Sequence, residues 1–296
     1  IRSEMIIQSK EIGTLLSREE GKTLPEGIGE VVRSGQQFQY YAASALRQFG
    51  ENIASTRDGV SVEMTREPVG VCGIISPWNF PIAIAAWKSA PAIAFGNAIV
   101  LKPASQTPAS AIALTKIISE QKDIPEGLFN LVLGGGGTIG HQISNHVNIN
   151  AISFTGSVGV GQTIYLEAAK SMKKMQLEMG SKNPLVVMDD ADLNIAVACA
   201  TNGAYGGTGQ KCTASSRLIV HEKVYKEFNE KLIENSIKEN DFIFHLAASV
   251  GVKNIIENPL KSIINYNPLE YKSLKPEEKK INNTIIILIN IKTKFS

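Results

Sequence analysis

The sequence predicts an α/β fold built on a doubly wound parallel sheet. Short apolar runs alternate with longer helix-like segments between residues 69 and 204. Several of these runs are apolar throughout, the pattern of strands that are buried on both faces. Such alternation implies crossover helices and parallel strands. Ligands bind beyond the carboxyl ends of the strands in these sheets, so polar residues that follow a strand are candidate site residues.

Helices are expected before the sheet begins. Residues 3–20 carry apolar side chains at helical spacing and end at Gly21, and residues 30–49 predict a second helix rich in Val, Phe, Tyr and Ala. Residues 60–66, VSVEMTR, alternate between apolar and polar side chains and predict a half-buried strand.

The sheet elements follow in order. We predict strands at residues 69–76, 98–102, 128–133 and 150–154, with strand-like segments at 175–178 and 184–188. We predict helices at residues 82–95, 108–120, 160–173 and 193–204. Thr107 is expected to cap the second of these helices, with Pro108 at its first position, and Asp192 to cap the last.

Composition narrows the class of function. The chain has 296 residues with a net charge of +2, which gives no reason to expect a nucleic-acid or membrane partner. Three cysteines, an odd and sparse set, fit a reducing compartment better than a disulfide framework. No apolar run approaches the roughly 20 residues of a membrane span. We therefore expect a cytoplasmic protein that acts on a small molecule without a metal, and we expect its true start to precede Ile1.

One cysteine lies in an unusual setting. Residues 206–216 read GGTGQKCTASS, so that Cys212 is surrounded by glycines and small hydroxyl residues. Such a run lets the backbone approach a ligand closely and present the thiol. A buried structural thiol explains the same local sequence, because free Cys is often buried.

Two glycine-rich segments follow predicted strands. Residues 135–140 match the dinucleotide-binding expression GxGxxG, but no carboxylate stands at residues 156–164 to hold a ribose, and a tight turn explains the match as well. Residues 154–161, FTGSVGVG, place hydroxyls where a helix begins. They predict either a phosphate site or a plain helix cap.

Three further residues have both a chemical and an ordinary interpretation. Lys102 ends a strand and could hold ribose hydroxyls or a phosphate, or simply be solvated. Glu178 ends an apolar segment and could act as a base, or be a surface carboxylate. Asn79 lies in the Pro-bracketed loop PWNFP and could donate to an oxyanion, or cap its own turn.

Together these segments resemble the aldehyde dehydrogenase superfamily. The resemblance rests on ISPWNFP (75–81), LKPASQTP (101–108), FTGSVGVG (154–161), LEMGSKNP (177–184) and GQKCTASSR (209–217). The segments PASQTP and EMGSKNP are similar in sequence to those of the bacterial branch that acts on semialdehydes, such as 2,5-dioxopentanoate and succinate semialdehyde.

The resemblance implies roles for individual residues. Cys212 would be the nucleophile, Asn79 would hold the oxyanion together with the Cys212 backbone N–H, and Glu178 would activate water. The residues implied in binding NAD or NADP are Ser76, Trp78, Asn79, Lys102, Ser105, Gly156, Ser157, Val160 and Met179. Phe80 and Trp87 would lie toward the aldehyde.

The resemblance also implies a domain arrangement. Residues 1–180 would form a Rossmann-like NAD(P)-binding domain, with 50–68 as a candidate oligomerisation strand region. Residues 181–238 would begin an incomplete catalytic domain that carries the nucleophile. Ile, Lys and Asn make up more than half of residues 253–296, so we expect residues 239–296 to be a divergent, weakly ordered tail that pairs with none of the preceding strands.

Two departures from the family pattern matter. Ser105 stands where many NAD-preferring members have Glu, so NADP is expected to be used at least as well as NAD. After about residue 238 the pattern is lost, including a later Glu-Ile-Phe-Gly-Pro loop and the strand used in assembly. Compared with the family pattern, the chain is truncated. The homo-oligomer that the family forms is therefore in doubt for this chain.

Three functions stay open at this point. The first is a hydrolytic aldehyde dehydrogenase that forms a thiohemiacetal and then a thioester on Cys212. The second is a relative that passes the acyl group to coenzyme A, against which Glu178 counts. The third is an inactive remnant that at most binds a dinucleotide, which the lost downstream pattern favours for this chain.

Overall fold

The computed structural model describes residues 1–47, 50–238 and 284–288. The chain divides into two compact units, Ile1–Gly180 and Ser181–Ser296, and each is described by itself. Across the described ranges, none of the helices combines the length and the apolar character needed to cross a membrane.

Three helices open the first unit: α1 (Arg2–Ile7), α2 (Ser9–Glu20) and α3 (Leu24–Ala45). The single helix predicted over residues 3–20 is wrong, because the backbone at Gln8 leaves helical geometry (φ −89°, ψ 5°) and separates α1 from α2. Gly21 ends α2 in the left-handed region at φ 97°. The second predicted helix begins six residues early, because Thr23 and Glu26 form a capping box at the start of α3.

A small hairpin follows, formed by β1 (Glu51–Ala54) and β2 (Ser61–Met64). The two strands pair antiparallel and form a sheet of their own. Every residue of both strands is exposed, so the half-buried strand predicted at residues 60–66 is wrong about burial. The alternation of side chains indicated a strand correctly, but the hairpin lies apart from the main sheet.

The main sheet has five strands: β3 (Val71–Ile75), β4 (Ala98–Lys102), β5 (Phe129–Leu131), β6 (Ala151–Gly156) and β7 (Lys174–Met179). Their order across the sheet is β5-β4-β3-β6-β7. All four neighbouring pairs are parallel. The predicted α/β fold with a doubly wound parallel sheet is confirmed.

The connecting helices are α4 (Ala83–Ala94), α5 (Pro108–Ser119), α6 (His141–Asn145) and α7 (Val158–Ala169), with a π-helical turn at Gly136–Gly140. They cover both faces of the sheet. Ile74 belongs to a core cluster shared with α4 and α5, whereas its neighbour Ile75 belongs to a second cluster shared with α6 and α7. This is the pattern that side chains alternating along a doubly covered strand produce.

The predicted cap of α5 is only partly right. Thr107 occupies the N-cap position but its side chain makes no capping hydrogen bond. The Glu19 carboxylate instead accepts the backbone N–H of Ala109 and of Ser110, at 2.5 and 3.0 Å. A carboxylate also suits the positive end of the helix dipole.

The second unit contains β8 (Pro184–Val187), α8 (Leu193–Tyr205), β9 (Arg217–His221), α9 (Tyr225–Lys238) and β10 (Thr284–Leu288). The strands β8 and β9 pair parallel, and the predicted Asp192 cap of α8 is confirmed by bonds to Asn194 N and Ile195 N. β10 pairs antiparallel with β9. The expectation that no part of the tail pairs is therefore wrong for residues 284–288, an isoleucine-rich run of high strand propensity. The rest of the predicted tail, residues 239–283 and 289–296, lies outside the described residues.

Candidate active site

The carboxyl ends of β3 and β6 define the candidate cofactor edge of the first unit. The strand order reverses between these two neighbours, and in register Ile75 of β3 faces Phe154 of β6. Open α/β sheets bind ligands in the crevice at such a reversal. The loop that follows β3 contains Ser76, Trp78 and Asn79, and Ser157 follows β6.

Residues predicted in separate segments thus fall at one edge of the sheet. β4 ends at Lys102 and β7 ends at Met179, beside the ends of β3 and β6. Gly156 and Val160 lie at the junction between β6 and α7. Phe80 lies in the loop before α4, and Trp87 on α4 is half exposed.

The glycine segment after β6 packs α7 closely against the sheet. A Cβ placed on Gly161 would lie 2.5 Å from the Sδ of Met179, so this position has no room for a side chain unless Met179 moves. Ser157 is the N-cap of α7, and its hydroxyl accepts the Val160 N–H at the long distance of 3.5 Å. Helix α7 therefore begins at the sheet reversal, with backbone N–H groups in its first turn.

Two buried hydroxyls at this edge are suited to bind a dinucleotide. The side-chain oxygens of Ser76 and Thr155 are buried, and neither has a hydrogen-bond partner among the residues that the structure describes. Ser76 begins the loop after β3 and Thr155 lies in β6. Unpartnered hydroxyls beside a helix start, together with exposed Val160 and Trp78, are groups that a phosphate and an aromatic ring can use.

The GxGxxG match lies elsewhere. Residues 136–140 form a π-helical turn after β5, which is the edge strand of the sheet and not the point of reversal. The tight-turn interpretation of this segment is therefore the one that the topology favours.

Lys102 and Ser105 are engaged within the chain. The Lys102 side chain is buried and its ammonium donates to the carbonyl of Pro103 at 2.7 Å. Burial lowers the pKa of Lys102 below its ordinary value. Ser105 is exposed, and its hydroxyl donates to the carbonyl of Gly134 at 3.4 Å. Contacts of either side chain with a ribose stay predictions.

Glu178 is exposed on β7 and is connected to a lysine that the sequence did not indicate as a site residue. The Gln176 amide donates to Glu178 Oε1 at 3.2 Å. The ammonium of Lys88 donates to Gln176 Oε1 at 3.0 Å and to Ser153 Oγ at 2.7 Å. Burial lowers the pKa of Lys88 to about 8, and the Glu178 carboxylate partly opposes this shift. The one available signal for Lys88 was a single charge within the apolar sequence of α4.

The cysteine loop belongs to the second unit. A 3-10 turn at Gly206–Gly209 follows α8, and Gly207 and Gly209 have φ of 60° and 70°, which favours glycine. The Cys212 side chain is exposed. The structure thereby decides between the two interpretations of this loop: the thiol is presented and not buried.

Asn183 anchors this loop, although the sequence did not indicate it as a site residue. Its side-chain amide donates to the carbonyl oxygens of Cys212 and Ala214, at 2.7 and 3.3 Å. The backbone carbonyl of Asn183 accepts the Ser216 N–H at 3.0 Å. Lys211 folds toward Gly206 and Gly207, since a Cβ on Gly207 would meet its Cε at 2.5 Å.

Over the described ranges, no group of three or more His, Cys, Asp or Glu side chains could hold a metal ion. The chemistry that the described side chains offer is that of a thiol, a carboxylate, amides and hydroxyls.

Comparison with known proteins gives consistent results. The model of the aldehyde dehydrogenase family matches residues 1–240. Alpha-ketoglutaric semialdehyde dehydrogenase of Bacillus subtilis (strain 168) is 44% identical over 264 residues, covering 86% of this chain and 53% of that protein. The 2,5-dioxopentanoate dehydrogenase of Saccharolobus solfataricus is 43% identical over 229 residues, covering 77% of this chain and 48% of that protein.

Solved structures agree with the sequence relatives. Betaine aldehyde dehydrogenase from Staphylococcus aureus in complex with NAD+ has a TM-score of 0.78 at 35% identity, covering 80% of this chain and 47% of that chain. An NADP-dependent enzyme of E. coli has a TM-score of 0.78 at 36% identity, covering 80% and 49%. The chain spans about half the length of the curated relatives it matches. Because the family model matches most of its length, the chain belongs to the aldehyde dehydrogenase family.

Proposed function

We propose that this chain oxidises an aldehyde, of the semialdehyde class, to a carboxylic acid with NADP+ or NAD+. The single observation that carries the proposal is the exposed thiol of Cys212 on a glycine-rich loop anchored by Asn183. The relatives named for 2,5-dioxopentanoate and alpha-ketoglutaric semialdehyde support the substrate class. The neighbours named for NAD+ and NADP support the cofactors.

Cys212 supplies the nucleophile in this proposal. Its thiolate attacks the aldehyde carbon, a C–S bond forms, and the carbonyl oxygen becomes an oxyanion. As the family resemblance implies, the Asn79 side-chain amide and the Cys212 backbone N–H would donate hydrogen bonds to that oxyanion. Donors fixed before the reaction stabilise the transition state more than they stabilise the bound aldehyde.

The residues at the sheet reversal hold the cofactor in the proposal. Ser157 and the first turn of α7 would hold the phosphates, while Ser76, Trp78, Val160 and Met179 would line the dinucleotide. A dinucleotide held by these residues would supply the acceptor for the hydride that the tetrahedral carbon loses. Loss of that hydride leaves the substrate carbon joined to Cys212 as a thioester.

Glu178 completes the proposed cycle by acting as a general base. Its exposed carboxylate takes a proton from water, and the resulting hydroxide attacks the thioester carbon. The acid leaves and the Cys212 thiolate is restored. A carboxylate in this role favours hydrolysis over transfer of the acyl group to coenzyme A.

The two compact units have separate tasks in this proposal. The unit Ile1–Gly180 binds the dinucleotide and the unit Ser181–Ser296 carries the nucleophile. The exposed β1–β2 hairpin, within residues 50–68, is proposed as the region through which copies of the chain associate. Exposed apolar side chains on it, Ile53, Val62 and Met64, support this role.

The experiment measures NADPH and NADH formation by the purified chain with 2,5-dioxopentanoate and with succinate semialdehyde. We expect turnover that Cys212→Ala abolishes and that produces the free acid without coenzyme A. Dinucleotide binding without turnover, measured by quenching of Trp fluorescence, would instead support the inactive dinucleotide-binding alternative. Turnover that requires coenzyme A would support the acylating alternative.

A further inference from the structure

A buried ion pair lies directly behind the Asn79 loop. The Lys22 ammonium is 2.6 Å from Glu30 Oε2, and each of the two residues is only 5% exposed. Lys22 lies between α2 and α3, and Glu30 lies on α3. Neither residue belongs to a segment that the sequence indicated as chemical.

Both charges also bind the segment that contains Asn79. The Lys22 ammonium donates to the carbonyl oxygen of Asn79 at 2.8 Å, and it lies 4.2 Å from the centre of the Phe80 ring. Glu30 Oε1 accepts the backbone N–H of Ile82 and of Ala83, at 3.1 and 3.0 Å. The ion pair therefore holds residues 79–83 at both ends, through a carbonyl at one end and two amides at the other.

These bonds fix the backbone from which the Asn79 side chain extends. A charge-assisted bond to the Asn79 carbonyl sets the orientation of the peptide plane that follows the Asn79 Cα. The bonds from Glu30 fix the start of α4, four residues later. With Pro77 and Pro81 on either side, few backbone rotations remain that could redirect the Asn79 amide.

Stability alone does not explain why this pair is charged. Buried ion pairs are costly to desolvate, and well-packed apolar residues of similar volume are often equally stable or better. Apolar residues could not bind the Asn79 carbonyl or the two amides. The charges are therefore best accounted for by the geometry that they impose on the loop.

We propose that Lys22 and Glu30 are positioning residues that orient the Asn79 amide toward the oxyanion. The inference rests on the proposed function, in which Asn79 donates to the oxyanion. Neither side chain touches substrate or cofactor in this role. Each acts on the reaction only through the backbone of residues 79–83.

The test uses the full chain, three variants and a matched control. Lys22→Met removes the ammonium and keeps the length of the side chain, Lys22→Arg retains a charge that can reach the same partners, and Glu30→Gln weakens the bonds to α4. The control is Lys173→Met, because Lys173 is also buried and its ammonium also donates to backbone carbonyls, those of His146 and Ile149, far along the chain from the Asn79 loop.

The first measurement is hydrogen–deuterium exchange and needs no turnover. We expect Lys22→Met and Glu30→Gln to speed amide exchange in residues 79–83 about tenfold, the factor that loss of about 1.4 kcal/mol of local stabilisation produces. Lys173→Met should leave this segment unchanged, and Lys22→Arg should restore slow exchange. Unchanged exchange at residues 79–83 in both Lys22→Met and Glu30→Gln overturns the proposal.

The second measurement is the rate of the first NADPH burst, which reports acylation of Cys212. We expect Lys22→Met to slow the burst by roughly 10- to 100-fold, because donors displaced by about 1 Å lose much of their effect. The dissociation constant for NADP+ should stay the same. In an Asn79→Ala background the same change should slow the burst less than about twofold, since Lys22 acts through Asn79.

Two results of the burst experiment would overturn the positioning role. One is equal slowing by Lys22→Met and Lys173→Met, which indicates a general loss of stability. The other is a full, multiplicative effect of Lys22→Met in the Asn79→Ala background. Absence of any burst in the wild-type chain counts against the proposed function alone, and the exchange measurement then decides the positioning of the loop.

Discussion

The side-chain amide nitrogen of Asn183 lies 2.7 Å from the carbonyl oxygen of Cys212, the residue whose thiol is presented by the glycine-rich loop. The same amide donates to Ala214, two residues later. One side chain thus fixes the backbone on both sides of Thr213. The loop is held by a residue that lies 29 positions earlier in the chain.

Removing the Asn183 amide should disturb the Cys212 loop more than the fold. We expect Asn183→Ala to slow the first NADPH burst by roughly 10- to 100-fold, because the Cys212 backbone loses its fixed orientation. The loss of two hydrogen bonds should lower the free energy of unfolding by about 1–3 kcal/mol. The control is Asn130→Ala, which also removes an amide that donates to two backbone carbonyls, those of Ile99 and Gly127, but in the first unit. Equal slowing by both variants would contradict the anchoring role of Asn183.

A methyl group at Gly161 should disturb the helix that begins at the sheet reversal. We expect Gly161→Ala to lower the free energy of unfolding by about 1–3 kcal/mol and to weaken NADP+ binding, since its Cβ would lie 2.5 Å from Met179 Sδ. Gly159→Ala is the matched control, because nothing lies within 4 Å of its Cβ. That variant should gain up to about 1 kcal/mol, as Ala favours a helix over Gly. Urea unfolding measures the stability of the two variants, and fluorescence titration measures their NADP+ binding. Equal losses in Gly161→Ala and Gly159→Ala would contradict the close packing at Gly161.

A carboxylate at position 105 should change the choice of cofactor. We expect Ser105→Glu to raise the dissociation constant of NADP+ at least about tenfold, because like charges 4 Å apart near a protein surface repel by about 4 kcal/mol before screening. The NAD+ constant should change little or fall. Gln106→Glu places the same charge at the next exposed position and should discriminate less. If the wild-type chain binds NAD+ much more tightly than NADP+, the expectation that NADP is used at least as well as NAD is contradicted.

The partly buried Lys88 should give the fold a distinct response to alkaline pH. Its pKa is lowered from 10.5 to about 8, so between these values the folded state holds fewer protons than the unfolded state. The contribution of Lys88 to stability therefore rises as pH increases from about 8 to 10.5, by at most about 3 kcal/mol.

Two variants isolate this contribution from the other titrating groups. Lys88→Met and Lys88→Arg should both lack the rise, the first because it carries no charge and the second because Arg stays protonated. Chemical unfolding at pH 7.5, 9 and 10 measures the difference from wild type. A wild-type profile parallel to that of both variants would contradict the lowered pKa.

Local patterns were enough to predict the sheet. Continuous apolar runs predicted β3, β4 and β6, an apolar helix-like segment predicted α4, and Asp192 predicted the start of α8, because each of these signals lies within a few consecutive residues. The break at Gln8 has no such signal, since neither Gly nor Pro stands there. Residues 284–288 were predicted to pair with nothing, although strand propensity was evident, because pairing depends on a partner edge that the local sequence does not contain.

The site residues divide in the same way. Cys212, Asn79 and Glu178 lie in compact motifs, so their chemistry could be proposed from neighbouring residues. Lys22 binds the carbonyl of a residue 57 positions away, and Lys88 binds residues 65 and 88 positions away. Such contacts arise only when helices and strands are assembled. The residues proposed to orient the chemistry therefore leave a weaker signal in the sequence than those proposed to perform it.

The most direct test of the account is the intact mass of the Glu178→Gln variant after mixing with NADP+ and 2,5-dioxopentanoate. Blocking the general base should stop the reaction at the thioester. We predict one acyl group per chain, located on Cys212 by peptide mass, together with a burst of about one equivalent of NADPH. A chain that forms NADPH continuously without any adduct on Cys212, or that keeps its activity after Cys212→Ala, would contradict the central claim that this thiol is the nucleophile.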